Sequence, residues 1–183
     1  DFIYTNNTLP TSTVDITLSA NGNASYSIKE NVAWDALFID ENSKRAIAET
    51  DVLIFGSLAC RSEHNFEILL QLIEKAKKTV FDVNLRAPFY QQSTIEKLLH
   101  KATIVKMNDD ELDEITAWYN IKEDIKDKMT FIIDTFHIEA LIITAGKNGA
   151  YCMHDGILLH QKVFQVEVKD TVGSGDSFLA ALV

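Results

Sequence analysis

The sequence predicts an α/β fold: a mostly parallel sheet flanked by helices, with a β-hairpin set apart near the start. Three observations predict it. Short apolar runs recur at 52–55, 79–81, 104–105 and 141–143, the length of buried strands rather than helices. Between them apolar residues return at helical spacing, which implies βαβ units. Finally, Asn21-Gly22 separates two alternating runs, the strongest short hairpin signal.

In the hairpin, residues 13–28, Val14, Ile16 and Leu18 share a face before the turn, and Ala24, Tyr26 and Ile28 share one after it. A strand over 52–55 ends at Gly56. Phe66, Leu69, Leu70, Ile73 and Ala76 then mark a helix, 79–81 a strand ending at Asp82, and Ile95, Leu98 and Leu99 a helix. After the strand at 104–105, residues 109–119 read as a helix whose acidic first turn suits its dipole. Ile125, Met129, Ile132, Ile133 and Phe136 mark the next helix, followed by the strand 141–143. Runs at 150–153 and 157–159 flank Asp155-Gly156 as a second hairpin. Residues 163–168 read as a further strand, and a helix starts near Asp176. The division expected is a lid part over 1–38 and a partial α/β domain over 39–183.

The 183 residues are 46% hydrophobic and 24% charged, an ordinary globular composition with enough chain for a sizeable core. No apolar run approaches the 18 or so residues of a spanning helix, so no membrane partner is expected. The net charge of −10 argues against nucleic acid, which needs a basic footprint. It leaves a small anion open, because clustered N–H donors bind one locally. Cys60 and Cys152 stand far apart with no CxxC, the pattern of two small core residues in a reducing cytoplasm. The start at Asp1 and the apolar run at 178–183 read as a piece of a longer polypeptide.

In parallel sheets ligands sit beyond the carboxyl ends of the strands, which selects 56–57, 82–86, 106–111, 144–149 and 170–176. The sharpest of these is Asp170-Thr171-Val172-Gly173-Ser174-Gly175-Asp176. Glycines at 173 and 175 let backbone N–H groups converge at a helix start, an anion site suited to phosphate. A carboxylate beside that anion makes sense if it takes a proton from an attacking hydroxyl. The plainer alternative is a tight turn with Asp176 as N-cap. The stretch lacks both GxxxxGK[ST] and the third glycine of a dinucleotide fingerprint.

Asp-Thr-x-Gly-Ser-Gly-Asp resembles the C-terminal signature of the ribokinase-like (pfkB-type) sugar kinases. Other segments resemble family motifs in the family's order: Lys106-Met107-Asn108-Asp109-Asp110-Glu111 its N-x-x-E, Phe81-Asp82-Val83-Asn84-Leu85-Arg86 the D-x-N-x-R of fructokinase-like members, Thr144-Ala145-Gly146-Lys147-Asn148-Gly149 the T-x-G-x-x-G nucleotide loop, and Phe55-Gly56-Ser57-Leu58 a fructokinase-type strand end. The hairpin falls where the family has its lid. Departures are Ser174, where Ala is commoner, and Val83, where Pro is common.

The resemblance implies a ribokinase-like fold and these roles. Asp176 would be the base for the sugar hydroxyl, and Gly173, Ser174 and Gly175 would hold the transferring phosphate. Asn108 and Glu111 would organise hydrated Mg²⁺, an ion that keeps several waters and needs few carboxylates; alternatively Glu111 is only a helix-dipole partner. Asn84 and Arg86 would meet phosphate or substrate, a guanidinium being well suited to phosphate, unless Arg86 forms a surface salt bridge. Asp82 would hold the Asn84 loop. Thr144, Gly146 and Gly149 would line the nucleotide side, unless they are just strand, turn and strand. Asp170 would steady the signature loop and help a monovalent-cation site, taking K⁺.

The function expected is ATP-dependent phosphorylation of a small sugar, fructokinase-like, in a cytoplasmic homodimer joined through the lid hairpin. The alternatives are a 2-keto-3-deoxygluconate kinase, a nucleoside kinase, or a non-catalytic nucleotide- or sugar-sensing relative. No histidine pair has metal-ligand spacing and no GxSxG is present. Trp34 and Trp118 read as packing residues, and 122–128 as a solvated helix face.

Overall fold

A computed structural model describes residues 2–18, 24–165 and 173–183, with backbone alone at 16–18 and 24–26. Strands β1 (Val14–Leu18) and β2 (Ala24–Ile28) pair antiparallel as a sheet of their own, with Val14 opposite Ile28 and Ile16 opposite Tyr26. The second sheet has six strands in chain order: β3 (Leu53–Gly56), β4 (Thr79–Asp82), β5 (Ile104–Asn108), β6 (Ala140–Thr144), β7 (Ala150–His154) and β8 (Ile157–Gln161). Strands β3 to β6 run parallel, and β7 and β8 are antiparallel additions. Strands β4 to β6 have the sequence of strands covered on both faces: all four residues of β4 are buried, and β5 and β6 bury their middle three, while edge strand β3 leaves Ile54 exposed.

The helices are α1 (Glu41–Glu49), α2 (Glu63–Ile73), α3 (Gln92–Leu99), α4 (Asp109–Ala117), α5 (Ile125–Phe136) and α6 (Ser174–Leu182). Four begin at side-chain caps, with Asp40, Ser62, Asn108 and Asp124 each accepting from the N–H three residues on, as orphan first-turn donors require. One core joins helices and sheet: Ile95, Leu98, Leu99, Ile115, Met129 and Ile132 pack with Phe81, Val105, Met107, Leu141 and Ile143. Phe55 stacks on Phe81 across β3 and β4, with ring centroids 4.9 Å apart.

Several expectations need correction. The strand expected over 163–168 is absent at 163–165, which has no regular structure and exposes Val163 and Phe164; 166–168 lie outside the described residues. A strand needs a ladder partner, and none of the described strands pairs beyond β8. Cys60 is buried, but Cys152 is only half-buried; both are free. Burial pushes the Cys60 thiol up to about 12, so it stays protonated and inert. The charged run at 122–128 is not one helix face: Asp124 caps α5, which starts at Ile125. Helix α1 is not announced by the sequence, because its composition is polar and Ile47 is its only large apolar residue.

The segment after β2 is anchored to the front of α2 by Arg61. Its Nε and Nη2 donate to the two carboxylate oxygens of Asp35, both at 2.6 Å, and Nη2 also donates to Lys29 O at 2.6 Å. Its guanidinium lies 4.0 Å from the Trp34 ring centroid and 4.9 Å from that of Phe89. Asp35 also accepts from Val32 N at 3.0 Å, and the Arg61 side chain is only 6% exposed. Removing one partner of such a pair strands the other charge away from water. Asp35→Ala is therefore expected to cost about 3–5 kcal/mol in urea unfolding at pH 7; a loss below about 1 kcal/mol, the value of a surface pair, would show that the anchor is dispensable. The Arg61 hydrogen bond holds Asp35 below its ordinary value. Its contribution is thus present at neutral pH and is lost as pH falls through that lowered value.

Candidate active site

The carboxyl ends of β3 to β6 form one edge, and strand register decides which side chains meet there. Gly56 lies opposite Asp82, Asp82 opposite Lys106, and Asn108 opposite Thr144. Residues two apart on a strand, and residues paired in register, share a face. Asp82, Lys106, Asn108 and Thr144 therefore lie on one side of the sheet.

Lys106 Nζ donates to Asp82 Oδ1 at 3.0 Å and Oδ2 at 3.1 Å, and both residues are buried, at 6% and 7% exposure. Burial pushes the Asp82 carboxyl up, Lys106 pulls it back down, and the charge of Asp176 pushes it up further. Helix α6 thus brings Asp176 within electrostatic reach of this pair. Its first turn comes closer still: a Cβ on Gly175 would sit 3.1 Å from Lys106 Nζ.

Asn108 and Glu111 form a reciprocal capping box at the start of α4. Asn108 Oδ1 accepts from Glu111 N at 2.8 Å, and Glu111 Oε2 accepts from Asn108 N at 2.8 Å. The other oxygen, Oε1, accepts from Leu85 N at 2.8 Å. Glu111 is 6% exposed, and burial pushes its carboxyl up against the downward pull of these two donors. It ties the loop after β4 to the end of β5, a role beyond that of a dipole partner.

That loop carries Asn84 and Arg86. Asn84 adopts φ 43°, a left-handed conformation that Asn tolerates better than most residues, and its carbonyl accepts from Ser57 Oγ at 3.2 Å. Arg86 is exposed and donates to its neighbour's carbonyl, Leu85 O, at 3.0 Å. Among the described residues it forms no salt bridge. Val83 N donates to Lys106 O at 2.9 Å, a bond that proline could not make.

Thr144 ends β6, and the loop after it closes on itself, with Ala145 N donating to Gly149 O at 2.8 Å. Gly149 has φ 90°, and a Cβ there would sit 2.0 Å from Gln161 O. Glycine is thus required here by the approach of the β8 end. Gly173, with φ 74°, is the N-cap of α6, and no described side chain caps the helix there. Asp176 is exposed in the first turn, three residues past that N-cap position, so it is not itself the cap. Asp170 to Val172 lie outside the described residues. A cavity of about 520 Å³ flanks Ser57, Arg61, Phe89 and Tyr90, and neither Asp176 nor Asn108 lines it.

Three structural residues, Lys106 and the pair Arg61–Asp35, lie outside the motifs of the sequence. Lys106 carried a signal, since a lysine within the apolar stretch Ile104-Val105-Lys106-Met107 must be paired when buried. Arg61–Asp35 carried none, because its partners lie 26 residues apart.

The ends of β3 to β6 therefore share one edge, with the start of α6 beside Lys106 and Asp82, and the family model for pfkB carbohydrate kinases matches residues 1–183. The chain belongs to the pfkB carbohydrate kinase family. Among curated relatives, it is 29% identical over 185 residues to a probable fructokinase-2 of Arabidopsis thaliana, covering 92% of this chain and 53% of that protein. It is 25% identical over 182 residues to a fructokinase of Salmonella typhimurium, covering 94% and 58%. The chain thus spans about half the length of the curated relatives it matches. The fold is shared with a fructokinase with bound ATP from Xylella fastidiosa, at TM-score 0.81 and 20% identity over 95% of this chain and 56% of that one. It is also shared with a sugar kinase from Pyrococcus horikoshii, at TM-score 0.79 and 21% identity, covering 97% and 57%. The ribokinase-like α/β architecture expected from the motifs is thereby established, with its mostly parallel sheet and separate antiparallel hairpin.

Proposed function

We propose that this chain carries the phosphoryl-transfer half of an ATP-dependent, fructokinase-like sugar kinase. The observation that carries the reading is the start of α6, whose first turn holds exposed Asp176 and approaches buried Lys106 at the strand-end edge. First-turn N–H groups suit a phosphate, and Gly173, Ser174 and Gly175 supply them. A sugar hydroxyl attacks the γ-phosphorus of ATP in line and gives its proton to Asp176. The new O–P bond forms as the bond to the ADP oxygen breaks, and most of the rate comes from positioning and charge. Arg86, with its guanidinium exposed on a loop held by Ser57 and Glu111, binds phosphate or a substrate anion. Asn84 shapes that loop, and Thr144, Gly146 and Gly149 form the nucleotide side.

The residues at the end of β5 fit hydrated Mg²⁺. After accepting from Leu85 and Asn108 N–H, each Glu111 oxygen keeps lone-pair capacity, suited to a metal-bound water rather than to the metal itself. Such an ion would neutralise phosphate charge; Glu111 and Asn108, which hold each other, would hold its waters. Both free thiols suit a reducing cytoplasm.

The test is ADP release by the full-length protein over a panel of hexoses, sugar acids and nucleosides, with the product identified by mass. A hexose phosphate is the expected outcome. Sugar acid or nucleoside phosphorylation would move the specificity within the family, and ligand binding without turnover would make the protein a sensor.

The hairpin is proposed as a lid that also clasps a second copy. A two-stranded hairpin is marginal alone, and its sheet pairs with no other described strand. Ile16→Ser with Tyr26→Ser is expected to shift the full-length protein towards monomer in sedimentation and to raise the sugar KM. An unchanged oligomer with an unchanged KM would remove the clasp.

A further inference from the structure

We propose that Lys106 is a positioning residue for phosphoryl transfer, one that sets the height of the first turn of α6 by contact at Gly175. This role rests on the kinase reading above. A buried ion pair is weak evidence of stabilisation, since well-packed apolar residues often replace one without loss. Its presence in an otherwise apolar strand therefore calls for a use. The ammonium cannot wander: both oxygens of Asp82 hold it, at 3.0 and 3.1 Å, from the facing position of the register.

Gly175 shows what the clamped ammonium supports. Gly173 has a positive φ and Gly175 does not, so conformation does not demand glycine at 175. Space does: a Cβ would lie 3.1 Å from Nζ, tighter than ordinary contact. The clamped ammonium thus lies close beside the α6 turn at Gly175, and the amides at 173–175 and Asp176 all ride on that turn. A displacement of about 1 Å in such groups is worth about 100-fold in rate.

The experiment compares Lys106→Met, Asp82→Asn, their double variant and Gly175→Ala in the full-length protein. It measures kcat, both KM values and the thermal midpoint. Lys106→Met is expected to lose stability by stranding Asp82 and to lower kcat by about 10–100-fold, with each KM held within about threefold. The double variant, in which neither charge remains, is expected to recover the midpoint but not kcat. Recovery of kcat together with the midpoint, or a kcat per folded molecule within twofold of wild type, would overturn the role. Should the double variant not fold, Gly175→Ala reports the same contact. Combined with Lys106→Met it should cost no more than the larger single loss, and an additive loss would overturn the proposal. A wild-type protein that transfers phosphate to no sugar would instead sink the kinase reading, and this role with it.

Discussion

Asp176→Asn in the full-length protein is expected to lower kcat by roughly 10²–10⁴-fold, the usual worth of a general base. The substitution is nearly isosteric, and the residue is exposed, so little packing is disturbed. The carboxylate sits in the first turn of α6, where a negative charge favours the helix by about 0.3–1 kcal/mol; that is the whole stability loss expected. ATP affinity should hold or rise, because a negative charge beside the phosphates disappears. The measurement is kcat with the nucleotide dissociation constant determined separately. Turnover near the wild-type value would remove Asp176 as the base and leave it a partner of the helix dipole.

Glu111→Gln should have the next largest effect, and on two observables. Each carboxylate oxygen accepts a backbone N–H, one from Leu85 and one from Asn108. An amide offers one acceptor and places its NH₂ against the other N–H. Leaving that buried donor unsatisfied costs about 1–3 kcal/mol, read by denaturant unfolding. The freed end also decides the functional effect. Release of Leu85 loosens the Asn84–Arg86 loop, and release of Asn108 loosens the proposed Mg²⁺ site, so the rate at fixed MgATP should require more free Mg²⁺. An unchanged Mg²⁺ curve together with lost stability would leave Glu111 a structural tie only. There is a pH signature as well. Burial raises the folded value above the ordinary 4.5. Between those two values the folded chain holds a proton that the unfolded chain has released. Wild-type stability therefore falls as pH rises through that window, and the variant lacks this contribution.

The strands and most helices were legible because burial on both faces forces continuous apolar runs and helical packing forces a 3.6 period. The Asn108–Glu111 spacing was legible twice over, as a family motif and as a capping box, and the structure shows the second use in full. Residues 163–165 misled because apolar content alone cannot supply a ladder partner. Helix α1 was missed because it buries little, so no apolar stripe of large residues announces it despite its Asp40 cap.

The sequence by itself determined the fold class, the order of the strand-end loops and the residue types they carry. Chain connectivity and hydrophobic period are local properties, and the D-T-x-G-S-G-D stretch is contiguous. Only the tertiary structure decided which of those residues touch. Parallel register set Lys106 against Asp82 across 24 residues of sequence, the fold brought Gly175 against that ammonium, and packing brought Arg61 onto Asp35. Each of these contacts depends on where whole elements lie relative to one another, and side-chain spacing along one strand or helix carries no record of it.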